Sequence, residues 1–202
     1  MVFKNKKNIK DEIELRKTEE KISKKKAVML FDTNKIHEIE VGTTKGLKEI
    51  HKYLFEDIYF FAGKIRDVNI SKGNFRFATT IYLEEILLKI DLMPESNFNE
   101  IVEKYVEMNI AHPFREGNGR SMRIWLDQIL KKNIGLVIDW SKINKEDYLL
   151  AMERSPIKDL EIKSLLNEAL TNKVNDRLVY IKGIDASYSY EGYNTFKTDS
   201  LI

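Results

Sequence analysis

A chain of 202 residues is of a size for one domain with a sizeable core, and a split into two would leave little for each. Charge is abundant but balanced, 34 basic against 32 acidic residues for a formal net charge of +2, which removes the electrostatic case for nucleic-acid binding. Cysteine is absent, which excludes disulfide frameworks, thiolate chemistry and zinc fingers and leaves oxygen as the expected metal ligand.

The N-terminus lacks the apolar core of a signal peptide and no run of about 18 apolar residues follows, so the expected protein has no membrane partner and a cytoplasmic default. From Asp11 to Met29 the chain is rich in Glu and Lys without Gly or Pro, which predicts a charged helix with a weak apolar stripe. The basic clusters at Lys4 to Lys10 and Lys21 to Lys26 are separated by Glu12, Glu14, Glu19 and Glu20 and read as a solvated helix face. Phe31-Asp32-Thr33-Asn34 and Val41-Gly42-Thr43-Thr44 mark breaks around a short helical turn. Leu47, Ile50, His51, Leu54, Phe55, Ile58 and Phe61 then recur at helical spacing up to Gly63, predicting an amphipathic helix over 46–62. His51 lies on its apolar stripe, where a packed, hydrogen-bonded role outweighs a ligand role.

Val68-Asn69-Ile70 and Phe75-Arg76-Phe77 alternate apolar with polar about Ser71-Lys72-Gly73-Asn74, the pattern of a short β-hairpin. Two strands alone are marginal, so the ribbon must lean on the helical body or on a partner, and its edge can accept an extended peptide. An ordinary connector is the plainer reading. Ile81 to Ile90 is apolar enough for a largely buried helix ending near Pro94. Asn97 is placed to cap the next helix, with Glu100 three residues on and Phe98, Ile101, Val102 and Tyr105 toward the core. Asn109, three residues before His112, either reaches the ligand of that histidine or is simply a helix-terminal Asn.

The chemistry is concentrated in His112-Pro113-Phe114-Arg115-Glu116-Gly117-Asn118-Gly119-Arg120, with Arg123 three residues on. The glycines let the backbone turn tightly and approach a ligand. Met122, Trp125, Leu126, Ile129 and Leu130 recur at helical spacing, so a helix starts near 117–119. Its unpaired N–H groups and positive dipole end suit an anion. Arg120 and Arg123 would share a face and clamp phosphate oxygens, Glu116 suits a magnesium ion on that phosphate, and His112 is able to accept a proton near neutral pH. The bland alternative is a helix start with a hydrogen-bonded His and solvated charges.

Beyond this stretch, Asn133 to Gly135 supplies a stop, and Asn144 or Ser141 a cap for a helix through Met152. Pro156 then interrupts before a helix from Asp159 to Thr171, with Leu160, Leu166, Ala169 and Leu170 on its buried face. There are no repeats and no low-complexity linker. Roughly seven or eight helices and one hairpin make an all-α domain. At the tail Asp185 can cap, and Gly192 end, a small helix that places Glu191 four residues after Ser187 on one face.

The run 112–120 resembles the signature of the Fic family, HPFx(D/E)GN(G/K)R, at every position. Ser187-x-x-x-Glu191-Gly192 is similar to that family's (S/T)xxxE(G/N) inhibitory pattern, placed as in class III, which carries its inhibitor at the C-terminal end of the same chain. The likeness runs from about Thr43 to the end, with Asp11 to Glu40 adding weakly. It implies a single Fic domain over 1–202, with 68–77 as a hairpin flap, 112–123 as active-site loop and helix start, and 184–192 as an inhibitory helix. Ile70, Ser71, Lys72, Gly73 and Phe75 of the flap would position a target segment.

The activity implied by the resemblance is protein adenylylation, the transfer of AMP from ATP to a Ser, Thr or Tyr hydroxyl of a target protein. His112 would be the base, Glu116 would hold Mg²⁺, Asn118 and the amides of Gly117 and Gly119 would receive phosphate charge, and Arg120 and Arg123 would bind the β- and γ-phosphates. Asn109 is a candidate addition to this set. Glu191, with Ser187 and Gly192 of its pattern, would pair with Arg123 and deny it to the γ-phosphate. A buried Arg–carboxylate pair combines good geometry with a large desolvation cost, so such a lid is poised to open. Tyr188 on the lid is a candidate for self-modification, homo-oligomers are a family option, and a topoisomerase ATPase subunit is one target class that relatives modify, small GTPases another. The alternatives are a protein phosphotransferase of the same fold, against which Gly117-Asn118-Gly119 argues, and a non-catalytic ATP-gated binding module or helical interaction domain.

Overall fold

The computed structural model describes residues 2–73 and 75–201. Asn74, assigned above to the hairpin turn, lies outside them. Helix α1 (Glu12–Asp32) begins where the Asp11 carboxylate accepts from the Glu14 amide at 2.7 Å. Its buried residues include Glu19, Glu20 and Lys24 beside Leu15, Ala27, Val28 and Leu30. The solvated face expected there is therefore corrected: one side of α1 is interior and ionic.

After a 3₁₀ turn at Lys35–Glu38, the Thr43 hydroxyl caps α2 (Thr44–Phe55). The helix ends well before residue 62. Backbone groups past Phe55 find other partners, the Lys6 amide donating to the Ile58 carbonyl at 2.7 Å and Asn5 bridging to Tyr59, while Ile58 and Tyr59 stay buried. The hairpin is also shorter than its pattern. Strands β1 (Ser71–Lys72) and β2 (Phe75–Arg76) pair antiparallel, Ser71 opposite Arg76 and Lys72 opposite Phe75. Val68 and Asn69 are committed elsewhere, the first to Arg66 and the second to the Thr80 amide at the start of α3 (Thr80–Asp91). Helix α3 buries Leu83, Leu87 and Ile90 but exposes Ile81, Tyr82 and Leu88, so it is a one-sided helix and not a largely buried one.

Asn97 caps α4 (Phe98–Ala111), accepting from the Glu100 amide at 3.1 Å, and α5 (Asn118–Ile134) runs from Gly117 to a left-handed Gly135. Met122, Trp125, Leu126, Ile129 and Leu130 of α5 are fully buried, which makes it the central helix, packed against α2, α4 and the last helix. Asn144 caps α6 (Lys145–Arg154). Helix α7 (Leu160–Glu168) stops short of Thr171, because Leu170–Thr171 forms strand β4 against β3 (Val137–Ile138), a pairing the sequence did not announce. Leu160 is exposed, and the buried face of α7 is Ile162 and Leu166.

The tail departs most from its expected form. Helix α8 (Arg177–Tyr190) is capped by Asp176, whose carboxylate accepts from the Leu178 and Val179 amides. Asp185 is thus mid-helix, where it accepts from Lys24 and from Thr198. Gly192, at φ +81°, ends the helix as its residue type predicts. Among the described residues the fold is eight α-helices with two short strand pairs, and no helix is long and apolar enough to cross a membrane.

Candidate active site

The loop between α4 and α5 is braced from both sides. Helix α4 ends as His112 enters the left-handed region at φ 48°. Arg66, almost fully buried, donates to the carbonyls of Val68, Ala78, Ala111 and His112, tying the flap to this turn. Phe114 is fully buried and stacks on His51, ring centroids 3.8 Å apart. His51 accepts from the Gly63 amide at Nδ1 and so donates from Nε2 to the Glu116 carbonyl at 2.8 Å. Burial pushes its pKa down to about 4, and it serves as a packed brace. Asn118 closes the loop on itself, its Oδ1 accepting from the Phe114 amide and its Nδ2 donating to the Phe114 carbonyl at 2.7 Å. These two bonds fix the loop geometry, and Asn118 still lines the cleft.

These elements open onto a cleft of about 600 Å³. The flap residues Ile70, Ser71, Lys72, Gly73 and Phe75 form one wall, and Asn109, His112, Glu116, Gly117, Asn118, Gly119 and Arg123 form the floor. Tyr148, Leu149, Met152 and Glu153 of α6 close the far side, and Glu191 enters from the tail.

His112 stacks under Phe77, centroids 3.7 Å apart, with Nδ1 3.3 Å from the Asn109 carbonyl. A carbonyl only accepts, so Nδ1 carries the hydrogen and Nε2 keeps its lone pair. Desolvation is the main force lowering the imidazole pKa to about 4; Lys72 and Arg66 add to it, while the Asn109 carbonyl and Glu191 oppose it. At neutral pH the ring is an uncharged base.

The two arginines part company. Arg123 donates from Nε to Ser187 Oγ at 2.7 Å, and from Nη2 to the Ser187 carbonyl at 2.8 Å and to Glu191 Oε1 at 3.0 Å. Glu191 Oε1 also lies against the first turn of α5, so close to Gly119 that a Cβ at that position would collide with it. A carboxylate thus rests at the positive end of a helix, beside an arginine. Burial alone would raise its pKa, but Arg123, Lys72 and Arg120 outweigh that and bring it down to about 2. Lys72 of the flap reaches the other oxygen at 3.7 Å.

Arg120, expected at the phosphates, does not reach the cleft. It is buried behind Glu116, donating to Glu19 at 2.5 Å and to Glu116 at 2.9 Å, its guanidinium lying over the Phe55 and Tyr193 rings. Ser187 and Gly192 also lie off the cleft wall, Ser187 because it holds Arg123 from behind. Tyr188, next to Ser187 on α8, is fully buried near Lys24 and Arg120, with its hydroxyl sealed from solvent. Burial pushes its pKa up to about 12.

Arg66 and Tyr148 have no part in the sequence reading, and Glu19 enters it only as one charge of a solvated helix face. Nothing in their local spacing marks them, since each acts on residues far along the chain.

Among the described residues no group of three or more His, Cys, Asp or Glu side chains converges as a metal cage. Of the carboxylates lining the cleft, Glu116 is the one on the loop that leads into α5, while Glu153 stands on α6 and Glu191 is paired with Arg123. The two bonds to Glu116, from Arg120 Nη2 and the Gly117 amide, both fall on Oε1. Oε2 accepts no bond from the described residues, and a carboxylate oxygen of that kind beside a helix start fits a magnesium ion, which Glu116 would hold with charge neutralisation of phosphate as its chemistry.

A model of the Fic/DOC family matches residues 42–130. Protein adenylyltransferase VbhT of Bartonella schoenbuchensis is 30% identical over 171 residues, 73% of this chain and 36% of that protein, so the chain spans about a third of its length. The probable protein adenylyltransferases Fic of Salmonella typhimurium and Escherichia coli are each 30% identical, over 66% and 64% of this chain and 74% and 70% of theirs. Among solved structures, BepC of Bartonella tribocorum with bound AMPPNP superposes with a TM-score of 0.68 at 21% identity, over 85% of this chain and 93% of that one. The N-terminal FIC domain of Bep8 from Bartonella sp. 1-1C gives 0.70 at 22%, over 86% and 92%. At these identities the structural likeness speaks to the fold.

Proposed function

The chain belongs to the Fic/DOC family, its curated relatives are protein adenylyltransferases, and from that premise we propose that it moves AMP from ATP to a hydroxyl of a target protein and is held off by its own tail. The main support is one convergence: a neutral imidazole, a carboxylate, the start of α5 and Arg123 share a cleft whose anion position is filled by Glu191.

In this reading Nε2 of His112 takes the proton of an incoming Ser, Thr or Tyr hydroxyl. The new bond forms from that oxygen to the α-phosphorus, the bond from the α-phosphorus to the bridging oxygen breaks, and pyrophosphate leaves. Glu116 would hold Mg²⁺, which supplies charge neutralisation to the phosphates. The amides at the start of α5 receive phosphate charge, and Arg123 binds the γ-phosphate once Glu191 withdraws. Arg120 contributes through the carboxylate it orients. The open edge of β1 beside the cleft would align the target segment as an added strand. Rate enhancement then comes from positioning and fixed charge.

Tyr188 can be self-modified only after α8 leaves its seat, because its hydroxyl is sealed. The test of the whole reading is incubation of the Glu191→Gly chain with a cell lysate and α-labelled ATP. Labelled protein bands that disappear with His112→Ala are expected. Label from γ-labelled ATP in place of α-labelled ATP would instead mark a phosphotransferase, and no label from either would mark a binding module.

A further inference from the structure

The buried partner of Arg120 on α1 is the feature that the proposed reaction does not use. Glu19 and Arg120 are 2% and 1% exposed, far from the charged surface that the composition of α1 leads one to expect. Glu19 Oε1 accepts from Arg120 Nη1 at 2.5 Å and from the Tyr193 hydroxyl at 3.0 Å, and Oε2 accepts from the Tyr59 hydroxyl. Arg120 in turn reaches Glu116 with its other terminal nitrogen. One guanidinium therefore serves two carboxylates, and the trio carries one uncompensated negative charge.

We propose that Glu19 is a positioning residue for the divalent cation: by matching the charge of Arg120, it leaves Glu116 its own charge, and its Oε2, for the ion. This rests on the reading that Glu116 holds magnesium. Without Glu19, Arg120 would stay buried with Glu116 as its sole carboxylate partner. An ion would then compete with a buried guanidinium for a charge already neutralised. A carboxylate two shells away thus sets how strongly the first shell binds, as outer partners of metal ligands generally do.

The test uses the full chain with Glu191→Gly, binding of a fluorescent ATP analogue, and titration with MgCl₂, each against a control in EDTA. Glu19→Gln keeps the shape and removes the charge. It is expected to raise the Mg²⁺ midpoint by about tenfold, the lower end of outer-shell effects, with EDTA binding unchanged. A merely structural role would lower the melting temperature and leave the midpoint where it was, and that result overturns the proposal. An equal loss of binding in EDTA also overturns it. Should Glu19→Gln not accumulate as folded protein, Glu19→Asp carries the test, with a smaller shift expected in the same direction and no shift counting against the proposal. Glu116→Gln separates the two levels: if it leaves the midpoint unchanged, the assignment of the ion to Glu116 fails, whatever Glu19 does.

Discussion

Replacing Glu191 with glutamine removes a charge and little else, so its effect can be worked from the closed geometry. The Glu191 carboxyl, 22% exposed, sits 3.0 Å from Arg123, and its pKa falls from an ordinary 4.5 to about 2. At about 1.4 kcal/mol for each pKa unit, the ionised carboxylate favours its place beside Arg123 by about 3 kcal/mol, roughly a hundredfold in the equilibrium between the paired and the withdrawn carboxylate. The pKa is depressed, so this contribution is complete above about pH 4.5 and fades as pH falls toward 2. An assay at pH 7 therefore feels all of it. The two bonds from Arg123 to Ser187 do not involve the substituted carboxyl, so on the proposed reading what is lost is the charge that competes with phosphate for Arg123. Initial rates of label transfer from α-labelled ATP to lysate protein should rise by tens to about a hundredfold. Glu191→Gly should do at least as much. A change of less than about threefold, in variants whose melting temperatures match the parent, would refute the idea that this carboxylate holds the site closed.

His112→Ala on the activated background should cut transfer by at least about a hundredfold with nucleotide binding nearly intact, since general-base catalysis is worth that much or more. With its pKa lowered to about 4, His112 is protonated only below that value, so transfer by Glu191→Gly should stay level from neutral pH to about 5 and fall beyond it. An inflection near 6.5 in the pH–rate profile would contradict the environment assigned to the ring. Gly117→Ala places a Cβ 2.5 Å from the Phe55 ring at φ +81° and should cost about 2 kcal/mol or more, read as a lower melting temperature. Lys72→Ala should activate only a few-fold, because an ion pair of 3.7 Å from a lysine 68% exposed is worth about 1 kcal/mol at most. Activation equal to that of Glu191→Gln would shift the latch from Arg123 to the flap.

The features legible in the sequence are those whose cause lies within a few residues. Asn97 and Asn144 cap the helices they precede, and Gly135 and Gly192 end the helices they follow, because a cap binds amides two or three positions away and a left-handed residue is a local need. The loop from His112 to Arg123 is likewise contiguous, so its parts had to lie close together however the rest packed. Asp185 is not the cap its residue type suggests, because its side chain answers to Lys24 and Thr198, distant in sequence, while Asp176 opens a longer helix. Strand β4 ended α7 early for the same reason, its partner lying over 30 residues upstream.

By itself, then, the sequence settled the helical class and the contiguity of the cleft-bearing loop, while the family pattern only pointed to the tail carboxylate that the structure sets 3.0 Å from Arg123, 68 positions earlier. Only the tertiary structure decided which arginine faces the cleft. Arg120 and Arg123 are one helical turn apart and chemically alike, and their fates diverge because Glu19, 101 residues away on α1, draws one into the interior while Ser187 and Glu191 hold the other at the surface of the cleft. A charge goes where its desolvation is repaid, and the repaying partner is chosen by packing, which residue order near either arginine does not encode.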